Sequence, residues 1–83
     1  MSFAVYLTPQ ANKDLKKLPE SEKTKIKKKL VALEINIFAG KKLKGDLVGL
    51  YALRVWPYRI VYLISNKKEA WIVHILHRQG AYK

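Results

Sequence analysis

A chain of 83 residues can enclose one hydrophobic core and no more, so a single domain spanning residues 1–83 is expected and a multidomain architecture is excluded. Hydrophobic residues make up 49% and aromatics 11%, enough bulk to exclude disorder, and the lack of cysteine removes disulfides and thiolate metal sites and fits a reducing compartment. Seventeen Lys and Arg against six Asp and Glu leave a net charge of +11, which internal pairing cannot neutralise and which favours a phosphate-rich or acidic partner.

Phe3 to Leu7 is a short β-prone run ending at Thr8-Pro9, where Thr8 suits a helix N-cap and Pro9 the first helical position. Ala11, Leu15 and Leu18 recur at helical spacing, and Pro19 stops this short first helix. A second helix starts between Pro19 and Ser21, with Glu20 and Glu22 in the turn where negative charge suits the helix dipole. Its apolar stripe is Ile26, Leu30, Leu33 and Ile37, its lysines read as a solvated face, and Ala39-Gly40 marks its expected end. From Leu47 the period changes. Leu47–Val55, Tyr58–Ile64 and Ala70–Leu76 read as strands, with turns at Trp56-Pro57 and Ser65 to Lys68. Alternation puts Tyr58 and Tyr62 on one face with Ile60 and Ile64, and groups Trp71 with Val73 and Ile75 as core. The expected fold class is α+β: a four-stranded antiparallel sheet packed against an N-terminal helical hairpin, in the order β-α-α-β-β-β. No stretch approaches the roughly 18 apolar residues of a membrane span, and the N-terminus lacks the pattern of a signal peptide. A soluble, cytoplasmic protein with no membrane partner is expected.

The acids Asp14, Glu20, Glu22, Glu34, Asp46 and Glu69 are scattered over different elements, which argues against a carboxylate pair or an oxygen-rich metal site, so neither a metal nor another cofactor is expected. His74 and His77, three apart on one strand, fall on opposite faces. What remains is a basic and aromatic set: Lys42, Lys44, Arg54, Arg59, His77, Arg78 and Tyr82. Cleaving a phosphodiester needs charge stabilisation on a crowded phosphorane, a group that takes a proton from the attacking hydroxyl and one that gives a proton to the leaving oxygen. Arg and Lys can supply the first; Tyr, His or a well-placed Arg can supply the others. Trp56, at a turn, is a candidate contact for RNA or for a partner.

The loop Lys42-Leu-Lys-Gly-Asp-Leu-Val-Gly, the Leu-Arg54-Val strand, the Tyr58-Arg-Ile-Val-Tyr strand and the terminal His77-Arg-Gln-Gly-Ala-Tyr82 resemble the RelE/ParE superfamily of bacterial toxins, and the early strand and helical hairpin fit it too. Resemblance to the RelE branch implies the toxin of a type II toxin–antitoxin system: an mRNA interferase, an endoribonuclease that enters the ribosomal A site and cuts mRNA without metal by attack of the ribose 2′-hydroxyl. It implies that Arg54 and Arg59 stabilise the phosphate, that Arg78 assists the leaving oxygen, that Tyr82 acts as base or orients the RNA, and that Lys42 and Lys44 hold the RNA backbone. His77 joins them as an acid–base candidate by its place beside Arg78. The implied partners are mRNA, the ribosome and a cognate antitoxin, through which the toxin assembles into a hetero-complex. Ala52 departs from the pattern: some active members carry a second basic residue there. A ParE-like inhibitor of DNA gyrase and a catalytically weakened RNA-binding homologue are the alternatives.

Overall fold

The computed structural model describes residues 3–45 and 49–77. Strand β1 (Ala4–Leu7) leads to helices α1 (Pro9–Lys16) and α2 (Glu20–Ile35), followed by strands β2 (Lys41–Lys42), β3 (Leu50–Val55), β4 (Tyr58–Ser65) and β5 (Glu69–His77). The strands form one sheet in the order β1-β5-β4-β3-β2. The α+β class and the helical hairpin stand as expected. The expectation of four strands, all antiparallel, is corrected on two points. β1 runs parallel to β5, a pairing open to strands separated by a long connection, and Lys41–Lys42 forms an additional edge strand that a pair of charged residues gives no reason to expect. The expected strand start at Leu47 and Val48 lies outside the described residues, and β3 is seen from Leu50.

Helix α1 begins as its sequence dictates. The Thr8 hydroxyl accepts from the Ala11 N–H at 3.2 Å and itself donates to the Ile72 carbonyl at 2.8 Å, so one side chain caps the helix and ties it to β5. Helix α2 stops at Ile35 rather than at Ala39-Gly40. Asn36 turns extended, and its side-chain oxygen accepts from the Phe38 N–H at 3.0 Å, the local competition by which Asn ends helices. Ile37 is still fully buried, but from the loop. The Tyr62 hydroxyl secures that loop, donating to the Ile37 carbonyl at 2.8 Å and accepting from the Gly40 N–H at 2.9 Å.

Ala11, Leu15, Ile26 and Leu33 of the helices pack on Val55, Ile60, Tyr62, Ala70, Ile72 and Ile75 of the sheet to make the core. Strict alternation fails on β5. Val61 pairs with His74 but Tyr62 with Ile72, leaving Val73 as an extra residue. That bulge brings both Ile72 and Ile75 onto the helix-covered face and turns Trp71 outward, so the expected grouping of Trp71 with Val73 and Ile75 as core is corrected. Trp71 stacks on Tyr6 of β1, ring centroids 4.6 Å apart, on the side of the sheet away from the helices. Beyond Leu7 no strand among the described residues lies beside the edge of β5, and α1 meets it instead: Asp14 accepts from the Ile75 N–H at 3.0 Å and sits 3.4 Å from His74.

Candidate functional site

Both helices pack on one face of the sheet, no other described element covers the opposite face, and register decides what that face displays. Arg54 and Arg59 are direct partners across the β3–β4 hairpin, and Leu76 is the partner of Arg59 on β5. One rung further along, Ala52 pairs with Val61 on one side and with Lys41 of β2 on the other. A third rung carries Leu50, Leu63, Trp71 and Tyr6. Because residues directly opposite share a face and neighbours along a strand alternate, all of these project outward. This face therefore grades from an aromatic and aliphatic end to a cationic one.

At the cationic end Lys41, Ala52, Arg54 and Arg59 line an open cleft of about 410 Å³. Arg54 is exposed and Arg59 half-buried. A planar guanidinium can meet two phosphate oxygens at once, and two of them on one rung can bracket a single phosphate. The hairpin that carries them is tight: Val55 and Tyr58 close it as partners, and Trp56 and Pro57 form the two-residue tip. Trp56 is 62% exposed, and its carbonyl accepts from the Lys25 ammonium at 3.2 Å.

The other residues singled out from the sequence lie elsewhere. Lys42 pairs with Tyr51 and so belongs to the helix-side face, where it borders a second open groove of about 850 Å³ with Phe38, Leu43, Tyr51, Ile64 and Lys67. Lys44 is exposed in the connection after β2. His77 is the partner of Tyr58, its ring edge-on to the tyrosine at 5.4 Å, and thus on the face opposite Arg54 and Arg59. Arg78 and Tyr82 lie outside the described residues. Among the described residues no three His, Asp or Glu side chains come together to hold a metal ion. Lys41 is the site residue that reading the sequence missed: β2 is too short to show a pattern, so nothing in the sequence distinguishes Lys41 from Lys42.

A small basic α+β protein with helices on one side of its sheet and an arginine-lined cleft on the other is equipped to hold a phosphorylated or acidic partner. Its sequence matches the family described as the ParE toxin of the type II toxin–antitoxin system over residues 5–82. It is 32% identical over 84 residues to the toxin RelE of Mycobacterium tuberculosis, covering 98% of this chain and 87% of that protein. It is 34% identical over 89 residues to the putative toxin RelE1 of Methanocaldococcus jannaschii, covering 100% and 98%. Among solved structures it is similar to the toxin–antitoxin complex RelBE2 of Mycobacterium tuberculosis, with a TM-score of 0.87 and 27% identity over 94% of this chain and all of that one. The chain belongs to the RelE/ParE superfamily and is a toxin of a type II toxin–antitoxin system. No helix among the described residues is long and apolar enough to cross a membrane.

Proposed function

We propose that the protein is an mRNA interferase that cuts ribosome-bound mRNA with its own side chains. The observation that carries this reading is the direct pairing of Arg54 with Arg59 on the open face of the sheet, in a cleft that also takes in Lys41. RNA supplies its own nucleophile. The ribose 2′-oxygen loses its proton to a base and bonds to the adjacent phosphorus, the bond from phosphorus to the 5′-oxygen breaks, and that oxygen takes a proton. The products are a 2′,3′-cyclic phosphate and a 5′-hydroxyl. Negative charge accumulates on the non-bridging oxygens in the transition state, and donors already aimed at that position lower the barrier. Arg54 and Arg59 are assigned that role. By the resemblance, Tyr82 takes the proton or orients the RNA and Arg78 serves the leaving oxygen. Lys42, Lys44 and His77, away from the cleft, are assigned to longer-range contact with RNA or ribosome. The RelE names of the relatives support this branch of the superfamily.

A cognate antitoxin is the expected protein partner, since solved structures similar to this one include toxins in complex with antitoxins. The net charge of +11 calls for an acidic one. The second reading, inhibition of DNA gyrase, is favoured by the ParE description of the matching family. Purified protein added to ribosomes translating a defined mRNA, with 5′ ends mapped by primer extension, separates the two. Discrete cuts in the A-site codon that disappear with Arg54→Ala support the interferase. Uncut mRNA together with a block of gyrase supercoiling replaces it with the gyrase reading.

A further inference from the structure

We propose that Lys41 is a phosphate-contacting residue of this cleft, supplying from the neighbouring strand the positive charge that position 52 lacks. The proposal rests on the reading of the cleft as an RNA phosphate site.

Lys41 and Ala52 are direct partners across β2 and β3. Side chains so paired start about 4.5–5.5 Å apart and project from the same face. A lysine on either strand therefore sweeps nearly the same space, and the methyl group at position 52 fills little of it, leaving room for the Lys41 stem. Lys41 lines the cleft together with Ala52, Arg54 and Arg59, while its neighbour Lys42 faces the other way and borders a different groove. The position is a fixed one. On one side the Gly40 N–H is held by the Tyr62 hydroxyl at 2.9 Å, and on the other the Leu43 N–H donates to the Leu50 carbonyl at 2.9 Å, so both ends of β2 are anchored. Gly40 is itself part of the device. A Cβ there would come within 2.5 Å of the Tyr62 hydroxyl and 3.0 Å of the Ala52 carbonyl, so the absence of a side chain is what lets the backbone bring Lys41 alongside β3.

The chemistry divides naturally among the three cations. Arg54 and Arg59 offer planar forks, and Lys41 offers a compact ammonium on a flexible stem able to follow a non-bridging oxygen as charge builds on it. Among the described residues the ion pairs join Lys23 to Glu20, Lys25 to Glu22 and His74 to Asp14, and none engages Lys41.

The test moves the charge rather than merely removing it. Cleavage of ribosome-bound mRNA is measured for the parent protein and for Lys41→Ala, Lys28→Ala, Arg54→Ala and the double variant Lys41→Ala/Ala52→Lys, with circular dichroism and urea titration to verify folding. Deleting one charge-assisted hydrogen bond predicts cleavage about ten- to a hundredfold slower for Lys41→Ala, while Lys28→Ala, an exposed lysine of α2, stays close to the parent. The double variant recovers most of the activity, which a purely structural role for Lys41 does not allow. Equal effects of Lys41→Ala and Lys28→Ala overturn the proposal, as does a double variant no faster than Lys41→Ala. If the parent cuts nothing, or Arg54→Ala cuts as fast as the parent, the underlying reading of the cleft fails as well, so the two failures are told apart.

Discussion

Removing a single oxygen at Tyr62 tests how the loop between α2 and β2 is held. The ring is fully buried and stacks on Tyr51 with centroids 5.5 Å apart, so Tyr62→Phe keeps the packing and deletes only the hydroxyl. The Ile37 carbonyl and the Gly40 N–H each lose a partner. A buried group left without its hydrogen bond costs about 1–3 kcal/mol, and the Gly40 amide, only partly buried, can recover some of that from water, giving about 2–4 kcal/mol for the pair. At roughly 0.05–0.15 kcal/mol per residue the whole 83-residue domain has about 4–12 kcal/mol to lose. The variant therefore unfolds at a distinctly lower urea concentration with an unchanged slope, since the area exposed on unfolding is the same. Burial, opposed by the bond from Gly40 and reinforced by Tyr51, raises the Tyr62 pKa above its ordinary 10.0. In the pH range above 10.0 the unfolded phenol ionises while the folded one stays protonated, so the contribution of Tyr62 is complete below that pH and declines as pH rises through the folded value. The stability gap between parent and Tyr62→Phe should thus narrow in alkali. A variant within about 0.5 kcal/mol of the parent at neutral pH, less than the cost of one orphaned group, refutes the account.

Three further outcomes are expected. Gly40→Ala, by forcing a Cβ against the Tyr62 ring and the Ala52 carbonyl, lowers the thermal midpoint and, by displacing β2, also slows mRNA cleavage; scanning calorimetry and primer extension read the two effects. Asp14→Ala leaves the Ile75 N–H of β5 without its acceptor and costs about 1–3 kcal/mol in urea titration. Arg54→Ala weakens binding to a short single-stranded RNA and flattens its dependence on log salt concentration by about 0.7 for each phosphate no longer neutralised, measured by fluorescence anisotropy across a salt series.

Most of the fold can be read from local chemistry. Thr8-Pro9 announces the start of α1, Pro19 its end, and the β3 and β4 strands show their β-branched and aromatic content plainly. The residues that mislead do so for identifiable reasons. Ile37 continues the apolar spacing of α2, but Asn36 ends the helix first, and a buried position in a loop carries the same period as one in a helix. Trp71 reads as core because alternation is counted from Ile75, and a bulge at Val73 shifts the count by one without any glycine or proline to signal it. The site is harder to read than the fold. Arg54 and Arg59 stand out, yet that they form one rung follows from the two-residue hairpin, whereas Lys41 and Lys42 are chemically identical in sequence and are separated only by which face of β3 each one meets.

The two faces of the sheet carry different obligations. On the helix side nearly every described core residue is committed to packing, including Tyr62, whose hydroxyl also fixes the approach of β2. Among the described residues the other side has no helix packed on it, although Val61 is buried there too, and its rungs can vary as long as their partner strands compensate. Ala52 and Lys41 illustrate this. A charge carried by one strand of an antiparallel pair can be carried by its partner at the same rung, because both side chains reach the same volume while the backbone between them is unchanged. A functional group in such a sheet is a property of a rung rather than of a position, so where a sequence lacks a basic residue at one site, the residue paired with it decides whether the charge is still present.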